Sequence, residues 1–205
     1  LPANKAVLTG SPIRRELLNG SVLSGLKFTG LSSEKPVILV IGGSLGSVKV
    51  NTAVRNILPA LLEKYQVIHL CGRGNLDKSL KSLKGYVQYE YISAQLKDLF
   101  AMSDMIISRA GANSICEILA LRKPNLLIPL SAAASRGDQI LNARSFQKQG
   151  FSEVLEEENL TDESLKEMIE KVFTHKYDYI NAMNRSKTSD AITIITRLIE
   201  DAANS

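Results

Sequence analysis

The chain has 205 residues, 44% hydrophobic and 22% charged, with a formal net charge of +4 and two cysteines. These are the proportions of a globular protein long enough to bury a core in one domain or two, and they exclude a disordered or low-complexity chain. The positive excess is too small and diffuse to argue for nucleic acid, no aromatic residues interleave with a basic patch, and the apolar runs are far too short to span a bilayer.

The start at Leu1, with no initiator Met and no apolar leader segment, predicts a piece of a longer polypeptide without a signal peptide. Val7-Leu8-Thr9 reads as a short strand, and Gly10-Ser11-Pro12-Ile13-Arg14-Arg15 as a turn into a helix. The Gly/Ser-rich residues 19–33 read as a connector. From residue 35 strands and helices alternate, with strands at 37–41, 66–71, 86–90, 104–108 and 125–129. The helices between them fall at 48–63, 76–83, 95–102, 114–121 and 138–149. This alternation predicts an α/β fold with a doubly wound, Rossmann-like parallel sheet. Thr161 caps a helical tail carrying Leu165, Met168, Ile169 and Val172 at helical spacing. A final amphipathic helix over 187–202 sets Ile192, Ile195, Leu198 and Ile199 on one face. The chain thus divides into a connector and first turn (1–34), a Rossmann-like domain (35–186) and a C-terminal helix (187–205). Cys71 and Cys116 have no metal-ligand spacing and sit in apolar runs, as reduced packing residues of a cytoplasmic protein do.

Open parallel sheets bind ligands outside the carboxyl ends of their strands. Four polar turns fall there: 42–47, 91–95, 108–117 and 131–139. The first lacks the Gly-Lys-Ser/Thr of a P-loop, and Ile41 stands where a dinucleotide fingerprint needs glycine. Only Arg73, after the next strand, would favour an NADP 2′-phosphate. The turn either cradles a pyrophosphate on its N–H groups and the Ser44 hydroxyl, or is a tight turn without a ligand. In 108–117 a glycine-loosened turn precedes Glu117, an arrangement that can hold a sugar diol beside a phosphate. Ser114-Ile-Cys-Glu117 also fits a capping box, worth about 1 kcal/mol and needing no ligand. Arg109 fits a buried ion pair or a phosphate contact equally well. The loop from Ser131 to Gln139 suits either a sugar or open solvent, with Asp138 favouring a helix dipole. His69 reads as a core histidine and His175 as a helix-end cation, so neither serves as a catalytic base. Lys78, Lys81 and Lys84 form a solvated stripe, and no metal cluster or catalytic triad emerges.

Taken in order, four segments resemble the MurG family of bacterial UDP-N-acetylglucosamine transferases across nearly the whole chain. They are Thr9-Gly10-Ser11-Pro12-Ile13-Arg14, Gly42-Gly43-Ser44-Leu45-Gly46, Ser108-Arg109-Ala110-Gly111-Ala112 with Glu117, and Asp138-Gln139-Ile140-Leu141-Asn142-Ala143. The resemblance implies one half, the C-terminal donor-binding half, of a two-domain GT-B glycosyltransferase. It implies that Glu117 accepts the ribose hydroxyls of UDP and that backbone near Ile92 reads the uracil edge. Ser44 and the N–H groups of its turn, Gly43 included, would face the diphosphate with Arg14. Gly111 belongs to the same set, and Gln139, with Asp138 beside it, would contact the GlcNAc hydroxyls. The family's usual Gly-Gly-Ser-Gln-Gly is here Gly-Gly-Ser-Leu-Gly, which removes a side-chain amide but not the backbone cradle, and the family varies where Asp138 stands.

The activity implied is inverting transfer of GlcNAc from UDP-GlcNAc to lipid I, giving lipid II for peptidoglycan, without cofactor, metal or nucleic acid. The N-terminal acceptor domain, with lipid I and the catalytic base, would lie outside this sequence, so this half holds no assigned catalytic residue. The isolated chain is expected to bind donor without turnover, as part of a cytoplasmic protein peripheral on the inner face of the membrane. A transferase with another lipid acceptor, or a stand-alone nucleotide-sugar-binding subunit with a membrane partner, shares these motifs. In GT-B proteins the last helix commonly crosses to the other domain, so its apolar face is expected to be partly exposed here.

Overall fold

Five consecutive aliphatic residues form β1 (Val37–Ile41), and the first four are buried, as a strand covered on both faces requires. In the computed structural model, which describes residues 6–7, 9–43, 46–132, 136–186 and 191–203, β1 lies inside a six-stranded parallel sheet. The other strands are β2 (Gln66–Leu70), β3 (Tyr86–Tyr89), β4 (Met105–Ser108), β5 (Asn125–Leu127) and β6 (Glu153–Val154). Their order is β3-β2-β1-β4-β5-β6, so the winding reverses between β1 and β4. Ile41 pairs with Leu70 on one side and Ser108 on the other, which sets the carboxyl ends flush at the point of reversal. The expected doubly wound sheet is therefore present.

One face is covered by α2 (Val48–Asn56), α3 (Leu58–Lys64), α7 (Asp162–Thr174) and α8 (Lys176–Arg185), around Ile38, Val40, Val54, Leu58, Ile107 and Ile169. The other carries a 3-10 turn (Arg15–Asn19), α1 (Val22–Thr29) and α4 (Leu96–Met102), around Leu17, Leu39, Ile68, Leu99 and Ile106. α5 (Ala112–Leu121) adds Ile118 to that second layer, and α6 (Asp138–Lys148) joins α5 through Ala110, Ile115 and Ala143.

Several segments differ from the sequence reading, which did not name the short strand β6. The connector expected over 19–33 contains α1, capped by Ser21 and closed by Gly30 at φ 72. Its glycines serve close approach rather than flexibility. A Cβ at Gly20 would lie 2.0 Å from the Lys97 carbonyl, and one at Gly25 2.7 Å from that of Asp98, so only hydrogen lets this segment seat on α4. The single helix expected over 48–63 is two, breaking at Ile57 just before Pro59, which has no N–H to continue the ladder. The helix expected over 76–83 shrinks to one 3-10 turn (Lys78–Leu80). Asp77 caps it, and Leu76 and Leu83 stay exposed, so no buried stripe stabilises a longer helix.

Residues 7 and 9 form no strand, and Leu8 lies outside the described residues. The last helix, α9 (Ala191–Ala203), starts at the edge of the described segment, with Ile199 65% exposed. Arg15 reaches it through the Thr193 hydroxyl at 3.2 Å. Among the described residues no helix is long and apolar enough to cross a membrane.

Candidate functional site

Three helices begin at the carboxyl rim where the winding reverses. α2 is capped by Ser47, whose hydroxyl accepts from the Val50 N–H at 3.3 Å. α5 and α6 start instead at Gly111 and Gly137, and neither has a side-chain cap. With glycine at the cap position, their first-turn N–H groups receive no bond from a cap side chain and suit an anionic or polar ligand.

The glycine turn enters α2 with Gly43 at φ 88 and Gly46 at φ 75, closed by a hydrogen bond from Gly46 N–H to the Gly43 carbonyl at 3.1 Å. Nothing lies within 4 Å of a Cβ built on Gly43, so that position faces open space, whereas one on Gly46 would sit 2.0 Å from the Cys71 carbonyl. Ser44 and Leu45 lie outside the described residues.

Glu117 is not a helix cap. α5 begins at Ala112, ahead of the expected start, so Ser114 lies inside the first turn and Glu117 a turn further on. Glu117 is buried, and its carboxylate is gripped by Arg14 from 103 residues away. Arg14 Nε donates to Oε1 at 2.8 Å and Nη2 to Oε2 at 3.0 Å, a bidentate fork. The bond to Glu117 raises the Arg14 pKa, against the opposing effect of burial. A carboxylate offers about four lone-pair sites, so the fork leaves roughly two for another donor. Arg14 also lines a cavity of about 430 Å³ with Leu17, Ser93, Ala94 and Lys97, which brings the loop after Ile92 to the same place. Ile92 itself is half-buried against the second core layer.

Gln139 is half-buried at the start of α6, and its Oε1 accepts from the Leu130 N–H at 3.1 Å, which leaves its NH2 as the available donor. Asp138 precedes it, exposed in the first turn. Asn142 donates to the Ala110 carbonyl at 3.1 Å and fixes α6 beside the Gly111 turn.

Arg109, open between two readings in the sequence, is an ion-pair partner. It donates to Glu157 at 2.5 Å, to the Ser47 hydroxyl at 2.6 Å, and to the carbonyls of Ile128 and Pro129 at 3.1 Å each. Its role is to tie the ends of β4 and β5 to the cap of α2. His69 is a core histidine as expected, bonded to Tyr86 and Asn51. His175 ends α7, with Nδ1 on the Lys171 carbonyl at 3.0 Å. The sequence reading missed Lys97, which lies two residues beyond the 91–95 loop in the first turn of α4, a spacing that would have placed it at the rim. It also missed Asn51, for which no local pattern gives a signal.

Residues 37–198 match the glycosyltransferase family 28 C-terminal domain. Over 201 residues the chain is 59% identical to the UDP-N-acetylglucosamine--N-acetylmuramyl-(pentapeptide) pyrophosphoryl-undecaprenol N-acetylglucosamine transferase of Lachnoclostridium phytofermentans, covering 98% of this chain and 57% of that protein. The equally named protein of Clostridium botulinum (strain Loch Maree) is 53% identical over 200 residues, with 98% and 56% covered. The chain therefore spans a little over half the length of the curated relatives it matches. Among solved structures, Acinetobacter baumannii MurG superposes with a TM-score of 0.67 at 19% identity, covering 86% of this chain and 52% of that one. The glycosyltransferase of kitacinnamycin gives 0.61 at 17% identity, over 73% and 37%. These two superpositions speak to the fold alone, a Rossmann-like parallel sheet flanked by helices.

Proposed function

The chain belongs to glycosyltransferase family 28, and on that premise we propose that it is the UDP-GlcNAc-binding half of an inverting transferase that makes lipid II from lipid I. The observation that carries the reading is the pairing of a buried carboxylate with an arginine fork at the rim where the winding reverses, beside two helix starts without side-chain caps. Glu117 is the acceptor for the ribose hydroxyls, and Arg14 holds the carboxylate in place beside the diphosphate. The backbone after Ile92 meets the uracil edge. The turn at Gly43, with Ser44, and the Gly111 helix start take the phosphates, and Gln139, with Asp138 beside it, takes the sugar.

In the reaction an acceptor hydroxyl oxygen bonds to the anomeric carbon as that carbon's bond to the diphosphate oxygen breaks. The electron pair leaves with UDP, where fixed N–H donors and Arg14 stabilise the charge that develops. The acceptor proton passes to a base outside this chain. We assign residues 35–186 to the donor domain, 1–34 to the lead-in from the acceptor domain, and 187–205 to the closing helix. The relatives are named for an undecaprenol-linked acceptor, which supports work at the inner membrane surface as a peripheral protein.

Calorimetric titration with UDP-GlcNAc, UDP-glucose and NADPH tests the reading. The folded chain is expected to bind UDP-GlcNAc selectively without producing lipid II. Glu117→Ala removes charge-assisted bonds worth about 1.5–3 kcal/mol each and should weaken binding about 100-fold. A folded chain that ignores UDP-GlcNAc, or binds it equally well without Glu117, refutes the assignment.

A further inference from the structure

Behind the glycine turn runs a file of buried polar groups that the proposed reaction does not use. Asn51, on α2, is 1% exposed, His69 on β2 is 0% exposed and Tyr86 on β3 is 3% exposed. The protons along the file can be assigned by elimination. Asn51 Nδ2 is 2.9 Å from the Cys71 carbonyl, which can only accept, so the amide donates there and Oδ1 faces His69. Because Oδ1 can only accept, His69 Nε2, at 3.0 Å, carries the imidazole proton. Nδ1 is then a bare acceptor, and the Tyr86 hydroxyl, also at 3.0 Å, donates to it. Burial, then the nearby Arg55 cation, pushes His69 down to about 3, and burial pushes Tyr86 up to about 12, so the file stays neutral through the working range of pH.

The file ends on the Cys71 carbonyl, one residue past the last strand pairing of β2 with β1, where that sheet ladder no longer holds it. The same carbonyl abuts Gly46, so closely that a Cβ there would lie 2.0 Å away. Apolar side chains would fill this space without the desolvation cost of three buried polar groups. What they would not do is aim a carbonyl.

We propose that Asn51 and His69 are positioning residues of the glycine turn: they hold the Cys71 carbonyl against Gly46 and so fix where the turn enters α2, beside the donor's diphosphate. The inference rests on the donor-site reading above and extends it to residues that never touch the ligand.

The test compares UDP with uridine, which lacks the diphosphate, in NMR-detected titrations of the wild-type chain, Asn51→Leu, His69→Gln and His69→Leu, each checked for folding by urea unfolding. Asn51→Leu should weaken UDP about tenfold, the equivalent of one hydrogen bond, and leave uridine within about twofold. Gln places an amide N–H where the ring Nε2–H stands, so His69→Gln should keep most of the UDP affinity that His69→Leu loses. If Asn51→Leu does not fold, the His69 pair decides. Equal weakening of UDP and uridine, or no change in either by a folded variant, overturns the proposal. A wild-type chain that binds no UDP refutes the donor site and this inference with it; one that binds UDP as well after Asn51→Leu refutes this inference alone.

Discussion

Acidification should destabilise this protein through His69, by an amount that one substitution isolates. In the unfolded chain the imidazole titrates near its ordinary 6.5, but in the fold burial, with Arg55 second, lowers it to about 3. Between these values the unfolded state takes up a proton that the folded state refuses, so stability falls as pH falls and levels off only below about 3. The slope for one such group is about 1.4 kcal/mol per pH unit, so moving from pH 6.5 to 4.5 removes on the order of 3 kcal/mol. That is a large share of the roughly 5–15 kcal/mol of a typical domain. Carboxylates also lose native pairing in acid, but they do so in both partners of a comparison between wild type and His69→Gln, which cannot take up this proton. Urea unfolding of both proteins at pH 7, 6, 5 and 4.5 gives the difference in unfolding free energy directly. The wild type should lose about 3 kcal/mol relative to His69→Gln across that range. A difference constant to within about 0.5 kcal/mol would show that the imidazole takes up its proton in the fold as readily as in the unfolded chain, and would refute the proton assignment above.

Gly46→Ala and Gly43→Ala make a matched pair. Both force a methyl onto a positive φ, but only Gly46 meets a carbonyl, at 2.0 Å, so calorimetry should give about 1–2 kcal/mol lost at Gly43 and distinctly more at Gly46. Arg109→Met leaves Glu157 without its cation at 10% side-chain exposure, and urea unfolding should register a loss of about 3–5 kcal/mol. Gln139→Glu keeps an acceptor for the Leu130 N–H but removes the NH2 donor. UDP-GlcNAc affinity should fall toward that of UDP, with UDP itself unchanged by calorimetry.

The parts of this fold legible in the sequence are those whose cause is local. Val37 to Ile41 and Met105 to Ile107 read as strands because burial on both faces demands unbroken aliphatic runs. Thr161 is legible as a cap because its partner, Ser164, stands three residues away. Where the cause is tertiary, the reading failed. The glycines at 20 and 25 looked like linker residues because the carbonyls that require them belong to α4, some 75 residues on. Glu117 offered a plausible cap within four residues, while its true partner, Arg14, lies 103 residues upstream. Arg109 makes four contacts on three different segments, none of which leaves a spacing to recognise. The glycine turn, Gly111 and Gln139 enter the candidate site as a set only through resemblance, since each taken singly allows a reading without a ligand.

All six strands run the same way, and α2, α5 and α6 all begin on the rim where they end. The positive ends of three peptide-dipole columns therefore gather along one edge. Unlike a patch of lysines, that positive edge has no dissociable proton: alkali does not discharge it, acetylation has nothing there to modify, and no side-chain substitution deletes it outright. Its attraction for negative groups is as permanent as the chain's own winding, and side-chain evolution along the cleft is left free to choose which anion stays.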